Sequence, residues 1–342
     1  TYINTVQEDT LSSYPLTLEA THVDVGSLLT TFIGEAQSHG EHPNDAVYQK
    51  TMFYDLVNAL NTMNASENDL RAFKTYLETE LDKPDSQLKQ AVTGVQYTYD
   101  LNLLIYTKSY DQGKEQIILS DTQQLLQDLL LEYFGMDMTG MMNMGESYGF
   151  SPQMMTMPGM RATTWQEMLP GDNGDPINPL LKKQYDVVYG TWPNHYNEVV
   201  LVLDSRNEID DMTLYALGLK SKDDIDALAQ AAKNQNQVEH KQESWSYEEI
   251  CNMEFRTVFP ADCYKEVNGK YMDLRTTPNG LDMLWPQGEP IKITGIIRPN
   301  EDATGGMLNG SIAYTHELTE HVIAHAADAA AVKAQQADPS AR

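Results

Sequence analysis

Residues 291–323, IKITGIIRPNEDATGGMLNGSIAYTHELTEHVI, constrain the fold of this 342-residue chain more than any other stretch. Ile291, Ile293, Gly295 and Ile297 recur with the two-residue period of a strand that buries one face. Arg298-Pro299-Asn300-Glu301-Asp302 should stop that ladder, because Pro299 has no amide donor and Asn and Asp favour turns. A Gly-rich loop, a second strand and the start of a helix complete the segment.

A second stretch, residues 184–219, reads in a related way. Val199 to Leu203 form a short apolar run that ends at Asp204, as in a buried strand. Asp204-Ser205-Arg206-Asn207 is a turn, and Ile209 to Leu219 is expected to be a helix ending at or just after Gly218. Near the start, Tyr2, Ile3, Val6 and Thr10 suit one face of a helix that Pro15 ends, and Leu16, Leu18 and Ala20 alternate as a strand. Residues 44–82 are expected to be helical. Met52, Leu56, Leu60 and Met63 form one apolar stripe, Leu70, Phe73 and Leu77 another, with Ser66 as an N-cap between them. Val95, Tyr97, Tyr99, Leu101 and Leu103 predict a strand, and the Asp111-Gln112-Gly113 turn predicts a hairpin on to Ile117–Leu119. Residues 122–134 return to a helical period through Leu125, Leu126, Leu129, Leu130 and Phe134. Further on, a polar helix is expected over 221–244, a cap at Ser246-Tyr247-Glu248-Glu249, a strand through Met253, Phe255, Thr257 and Phe259, and a hairpin turn over 267–271. The fold class these elements predict is α+β: a mixed, mainly antiparallel sheet packed by helices.

Composition narrows the function. The 23 basic and 50 acidic residues leave a formal charge of −27, a field that repels nucleic acid and anionic membrane surfaces alike and keeps a surface domain soluble. No run of eighteen apolar residues occurs, so no stretch reads as a membrane-spanning helix. There is neither an initiator Met nor a signal peptide, and both ends read as cut from something longer.

The two stretches above, together with the opening TYINTVQEDTLSSYPLTLEA, resemble the extracytoplasmic domain of MacB/FtsX-type ABC transporter permeases, above all the large permeases of Gram-positive bacteria that are often fused to their own ATPase. The resemblance covers most of the chain with loose spacing. It implies a porter-like lobe near the membrane interleaved in sequence with a distal lobe. Residues 1–14 would be a membrane-proximal stalk helix, 15–327 the extracellular domain, and 328–342 an exposed tail leading into the remainder. It also implies a domain without catalysis on the extracellular face of an integral membrane protein. Its partners would be the parent's transmembrane helices and ATP-binding domain, with a dimer formed through the parent, and its cargo a hydrophobic peptide, lipid or lipoprotein. A surface-anchored or secreted binding module and an FtsX-like regulator of a cell-wall hydrolase remain the alternatives. In such an oxidising exterior Cys251 and Cys263, with eleven residues between them, favour a disulfide that would stabilise by roughly 3 kcal/mol. The other reading is two buried thiols acting as small hydrophobes.

The candidate sites are few. Residues 136–160 hold nine of the seventeen methionines, Met136, Met138, Met141, Met142, Met144, Met154, Met155, Met157 and Met160, which marks them as an insertion. Thioethers select copper(I), yet no Cys or His lies among them, so an adaptable apolar surface or filler that could accept a greasy cargo is the preferred reading. His321 and His325 lie one helical turn apart, with Glu317 a turn before, a spacing that could hold zinc or arise on any helix end; His316 lacks the partner of a zincin motif. Asp204, Asn207, Glu208, Asp210 and Asp211 cluster without the order of a calcium loop, as a solvated turn and helix start also would. Gly305, Gly306 and Gly310 lack the strand-to-helix setting of a phosphate loop and suit a tight backbone path. No nucleophile elbow appears. No cofactor, metal or catalytic residue is therefore expected.

Overall fold

A computed structural model describes residues 21–23, 43–50, 65–67, 70–92, 103–111, 113–134, 164–171, 174–234, 243–267, 270–301, 303 and 306–328. The expected stalk helix, the strand at 16–20, the apolar stripe from Met52 to Met63, the strand positions 95–101, the methionine-rich insertion and the tail beyond Asp328 lie outside these residues.

In chain order, β1 (Thr21–Val23), β2 (Val47–Lys50) and β3 (Ala65–Glu67) precede two helices, α1 (Leu70–Leu81) and α2 (Gln87–Ala91). The hairpin β4 (Leu104–Asp111) and β5 (Lys114–Leu119) leads to α3 (Gln123–Phe134), then β6 (Trp165–Glu167) and α4 (Pro179–Gln184). Next come β7 (Tyr185–Gly190), β8 (Glu198–Val202), β9 (Glu208–Asp210), α5 (Asp211–Ala216) and α6 (Lys222–Lys233). The remaining elements are β10 (Ser244–Trp245), α7 (Tyr247–Cys251), β11 (Phe255–Val258), the β12 (Tyr264–Val267) and β13 (Lys270–Asp273) pair, α8 (Pro278–Leu284), β14 (Glu289–Pro299), β15 (Ile312–Tyr314) and α9 (His316–Asp328). The chain is α+β, as expected, and its mixed, mainly antiparallel sheet is curled.

Four local expectations are corrected. Val47–Lys50 is a strand rather than part of a helix, because it finds partners on both edges, β9 in parallel and β10 antiparallel. Ser66 is not an N-cap: it lies in β3 opposite His22. Ile209 belongs to β9, and the helix after it begins only at Asp211, where the Asp210 carboxylate accepts the Thr213 amide at 2.8 Å. The polar helix is also shorter than read. It begins at Lys222, one residue after the expected start, with Ser221 Oγ accepting the Asp224 amide, and ends at Lys233, while Ser244 lies in β10.

The main sheet runs β5-β4-β11-β14-β8-β15-β6. Its organiser is β14, the strand predicted from Ile291, Ile293 and Gly295. Along one edge β14 pairs in parallel with β8; along the other it pairs first with β11 and then, from Gly295 onward, with β7. The shift occurs at a bulge. Ile293 faces Val199 and Gly295 faces Val200, so Thr294 is an extra residue that inverts the side-chain parity of the remainder of the strand. Ile291, Ile293 and Ile296 consequently share a face, while Ile297, expected beside Ile291 and Ile293, points to the other.

Glycines make the double pairing possible. Gly190 adopts φ 72°, and a Cβ there would lie 2.1 Å from the Thr294 carbonyl oxygen; one on Gly295 would lie 2.2 Å from that of Thr191. The Thr191 amide donates to Thr294 O at 2.9 Å, so β7 and β14 approach to a distance that no side chain permits.

Both faces of the sheet are buried. On one, Ile105, Val199, Leu201, Phe255, Ile291 and Ile312 pack under Leu214, Ile250, Leu318 and Val322 from α5, α7 and α9. On the other, Val200, Val202 and Ala313 meet Met168, Leu181 and Tyr185, while Leu104, Tyr106 and Val258 meet Cys263, Leu274 and Leu284. Each buried aliphatic or Phe side chain contributes about 1.5–3 kcal/mol. Such double burial explains why β8 reads as a continuous apolar run rather than an alternating one.

Candidate functional site

Segments far apart in sequence meet at Asn207. The turn that carries it is built by Asp204, whose Oδ1 accepts the amides of Arg206 at 2.8 Å and Glu208 at 2.9 Å. This geometry places Asn207 at φ 61°, the one non-glycine residue with positive φ among the described residues, a conformation Asn tolerates better than most. Its amide donates to Asp204 O at 3.1 Å, and its carbonyl accepts the Tyr48 amide at 2.9 Å. Side-chain Nδ2 donates to Ala46 O at 3.3 Å and to the Tyr247 hydroxyl, while Oδ1 accepts from Arg298 Nη1 at 2.7 Å. The residue is fully buried and every polar atom it has is engaged. Removing one partner would leave a buried group unsatisfied, a loss of about 1–3 kcal/mol.

The surroundings extend the junction. Tyr247 donates its hydroxyl to Asn44 O at 3.1 Å, and burial raises its pKa above the ordinary tyrosine value. Tyr48 donates to Asp45 at 2.7 Å, a bond that raises its own pKa. The Tyr189 ring lies against Tyr247 with centroids 5.7 Å apart. Residues 44–48, 204–208, 247 and 298 are therefore held at one point. The turn was legible in the sequence; Arg298 and Tyr247 as its partners were not, since neither carries a local signal.

The acidic cluster around this turn is engaged in structure. Asp210 caps α5 through the Thr213 amide and also accepts the Thr213 hydroxyl at 2.9 Å, which in turn meets Ser311 Oγ at 2.6 Å. Glu208 pairs with Arg206 at 3.7 Å, and Asp211 is buried at the start of α5.

The histidines of α9 do not converge. His316 Nδ1 lies 2.9 Å from Glu167 Oε1, and Glu167 Oε2 accepts the Thr319 hydroxyl. His321 Nε2 lies 2.8 Å from Glu289 Oε2, which also accepts from Tyr196 at 2.9 Å, and its ring stacks on Tyr196 at 4.0 Å. His325 stacks on Phe259 at 3.6 Å and lies 3.8 Å from Asp262. Each histidine thus takes a carboxylate from a different segment, and together they stitch α9 to β6, β14 and the turn after β11. Among the described residues, no group of three or more His, Cys, Asp or Glu is placed to hold a metal ion.

The expected Cys251–Cys263 bridge is a correction: both thiols are free. The sheet explains why. Cys251 packs against the cluster on the α9 face, whereas Cys263 is buried with Leu104 and Val258 on the opposite face. Burial pushes each thiol up to about 11. Met136, Met138, Met141, Met142, Met144, Met154, Met155, Met157 and Met160 lie outside the described residues, as does Gly305. Gly306 runs against the Tyr185 hydroxyl, which accepts the Leu308 amide, and Gln166 Oε1 holds the amides of Asn309 and Gly310 at 2.7 Å. That loop is a tight backbone path beside the core.

No family model, curated protein or solved structure matches the chain. Among the described residues no helix is long and apolar enough to cross a membrane.

Proposed function

We propose that this chain is the extracellular domain of an ABC transporter permease of the MacB/FtsX type. It would do no chemistry itself; ATP hydrolysis in a cytoplasmic domain would move it, and the motion would drive export or handling of a peptide, lipid or lipoprotein outside the membrane. The porter-like and distal lobes, the stalk at 1–14 and the adaptable methionine surface at 136–160 belong to the same proposal.

One observation carries it. The two stretches in which the resemblance lies, 184–219 and 291–323, form hydrogen-bonded neighbours in a single sheet, β8 between β14 and β15, and the chain arriving at 43–50 is tied to that sheet at Asn207. A rigid sheet passes displacement on, whereas a flexible tether dissipates it.

The test uses the full-length parent in membrane vesicles. Its sequence should carry apolar spans of about twenty residues on both sides of this domain. A Gly/Ser linker inserted between Ser13 and Pro15 should abolish transport while ATP hydrolysis persists. Transport that survives the insertion undiminished refutes the proposal.

A further inference from the structure

Asn207 does more than close a turn. Three of its bonds lead to the incoming segment at 43–50: to Tyr48 N, to Ala46 O and, through Tyr247, to Asn44 O. One leads to Arg298, at the end of β14 beyond the bulge. Tyr48 also lies opposite Glu208 in the parallel pairing of β2 and β9, so a displacement of residues 43–48 pulls directly on the residue beside Asn207. A fully buried amide in the left-handed region persists only where its surroundings over-determine it, and here all its polar atoms are occupied.

We propose that Asn207 is the pin through which movement of the incoming segment reaches the far end of β14, a positioning residue for the motion-transmitting role on which this inference rests. Val47 is buried in the same core cluster as Ile209, and the ladders with β9 and β10 also hold β2; the bonds to Asn207 are the ones that continue from residues 44–48 to Arg298.

The experiment compares Asn207→Gly, which keeps the backbone conformation and removes the side-chain bonds, with Asn207→Asp, which keeps the acceptor for Arg298 and loses the donor to Ala46 and Tyr247. Amide hydrogen exchange is read on the whole 342-residue chain. In Asn207→Gly, residues 44–48 and 298 should both exchange about tenfold faster, while β8 and the N-terminal half of β14 stay protected, because the lost bonds are local. In Asn207→Asp, only 44–48 should accelerate. A purely structural role would raise exchange at both places, and in the core, in proportion to lost stability in either variant; that uniform pattern overturns the pin. In the full-length parent, Asn207→Gly should lower cargo moved per ATP hydrolysed without lowering hydrolysis. If the Ser13–Pro15 linker uncouples transport but Asn207→Gly does not, the pin is wrong and the transmission reading stands. If neither uncouples it, both fall.

Discussion

Three glycine-to-alanine substitutions separate backbone strain from steric conflict in this fold. Gly113, at φ 79° in the β4–β5 turn, has nothing within 4 Å of the place a methyl would occupy, so Gly113→Ala bears only the left-handed penalty, about 1–2 kcal/mol. Gly295→Ala bears only the clash: its Cβ would lie 2.2 Å from Thr191 O, and that oxygen belongs to backbone that cannot rotate away. Forced overpacking of this kind costs about 1–3 kcal/mol. Gly190→Ala bears both, because at φ 72° its Cβ would lie 2.1 Å from Thr294 O and 3.0 Å from Gly295 Cα. Its loss should approach the sum, about 2–5 kcal/mol. Urea titrations followed by tryptophan fluorescence, with Trp192 close to the site, give the three midpoints, and unchanged slopes would show that only stability moved. If Gly190→Ala is no worse than Gly113→Ala, or Gly295→Ala is neutral, the close approach of β7 and β14 is not what holds this sheet together.

Denatured, non-reduced protein should titrate two thiols, and the folded protein should react slowly with alkylating agents near neutral pH because burial holds both thiols at about 11; an absence of free thiols would reinstate the bridge. Asp273 should titrate below its ordinary 3.8, since Arg275 donates to it from side chain and backbone. A depressed folded pKa contributes stability that is complete above the unfolded value, near pH 4, and is lost as pH falls through the lowered folded value. Carboxyl carbon NMR reads the midpoint directly, Asp273→Asn should remove that part of the acid dependence, and a midpoint at or above 3.8 would refute the pairing.

Much of the architecture was legible because its signals are local. The period-two pattern at Phe255 and Thr257, the period near 3.6 at Leu125, Leu126 and Leu129, and the capping box of Ser246 and Glu249 each depend on neighbours in sequence. The features that escaped depend on partners far away. Val47–Lys50 is a strand only because β9 and β10 flank it, and Ile297 changes face only because β8 forces Thr294 out of register. At the junction, the turn at Asp204–Asn207 was visible as composition, while Arg298 and Tyr247 have no reason to be singled out until the chain has folded. The histidines tell the same story in reverse: their helical spacing suggested a shared ligand, and Glu167, Glu289 and Asp262 take one each.

Because β14 is both the central strand and one of the last two strands in chain order among the described residues, the order of synthesis bears on how this domain matures. When a ribosome has delivered residues up to 288, β11 already has β4 on one side, but β14, which β11, β8 and β7 all pair with, is missing, and β6 still awaits β15. Pairings between such distant segments form slowly, and until they do the unpaired edges invite association with other chains. The sheet can therefore close only once residues through Tyr314 have been made. A chain truncated before Glu289 should accumulate as an aggregation-prone intermediate, and a holdase that shields these edges until Tyr314 has been made should raise the yield of folded domain.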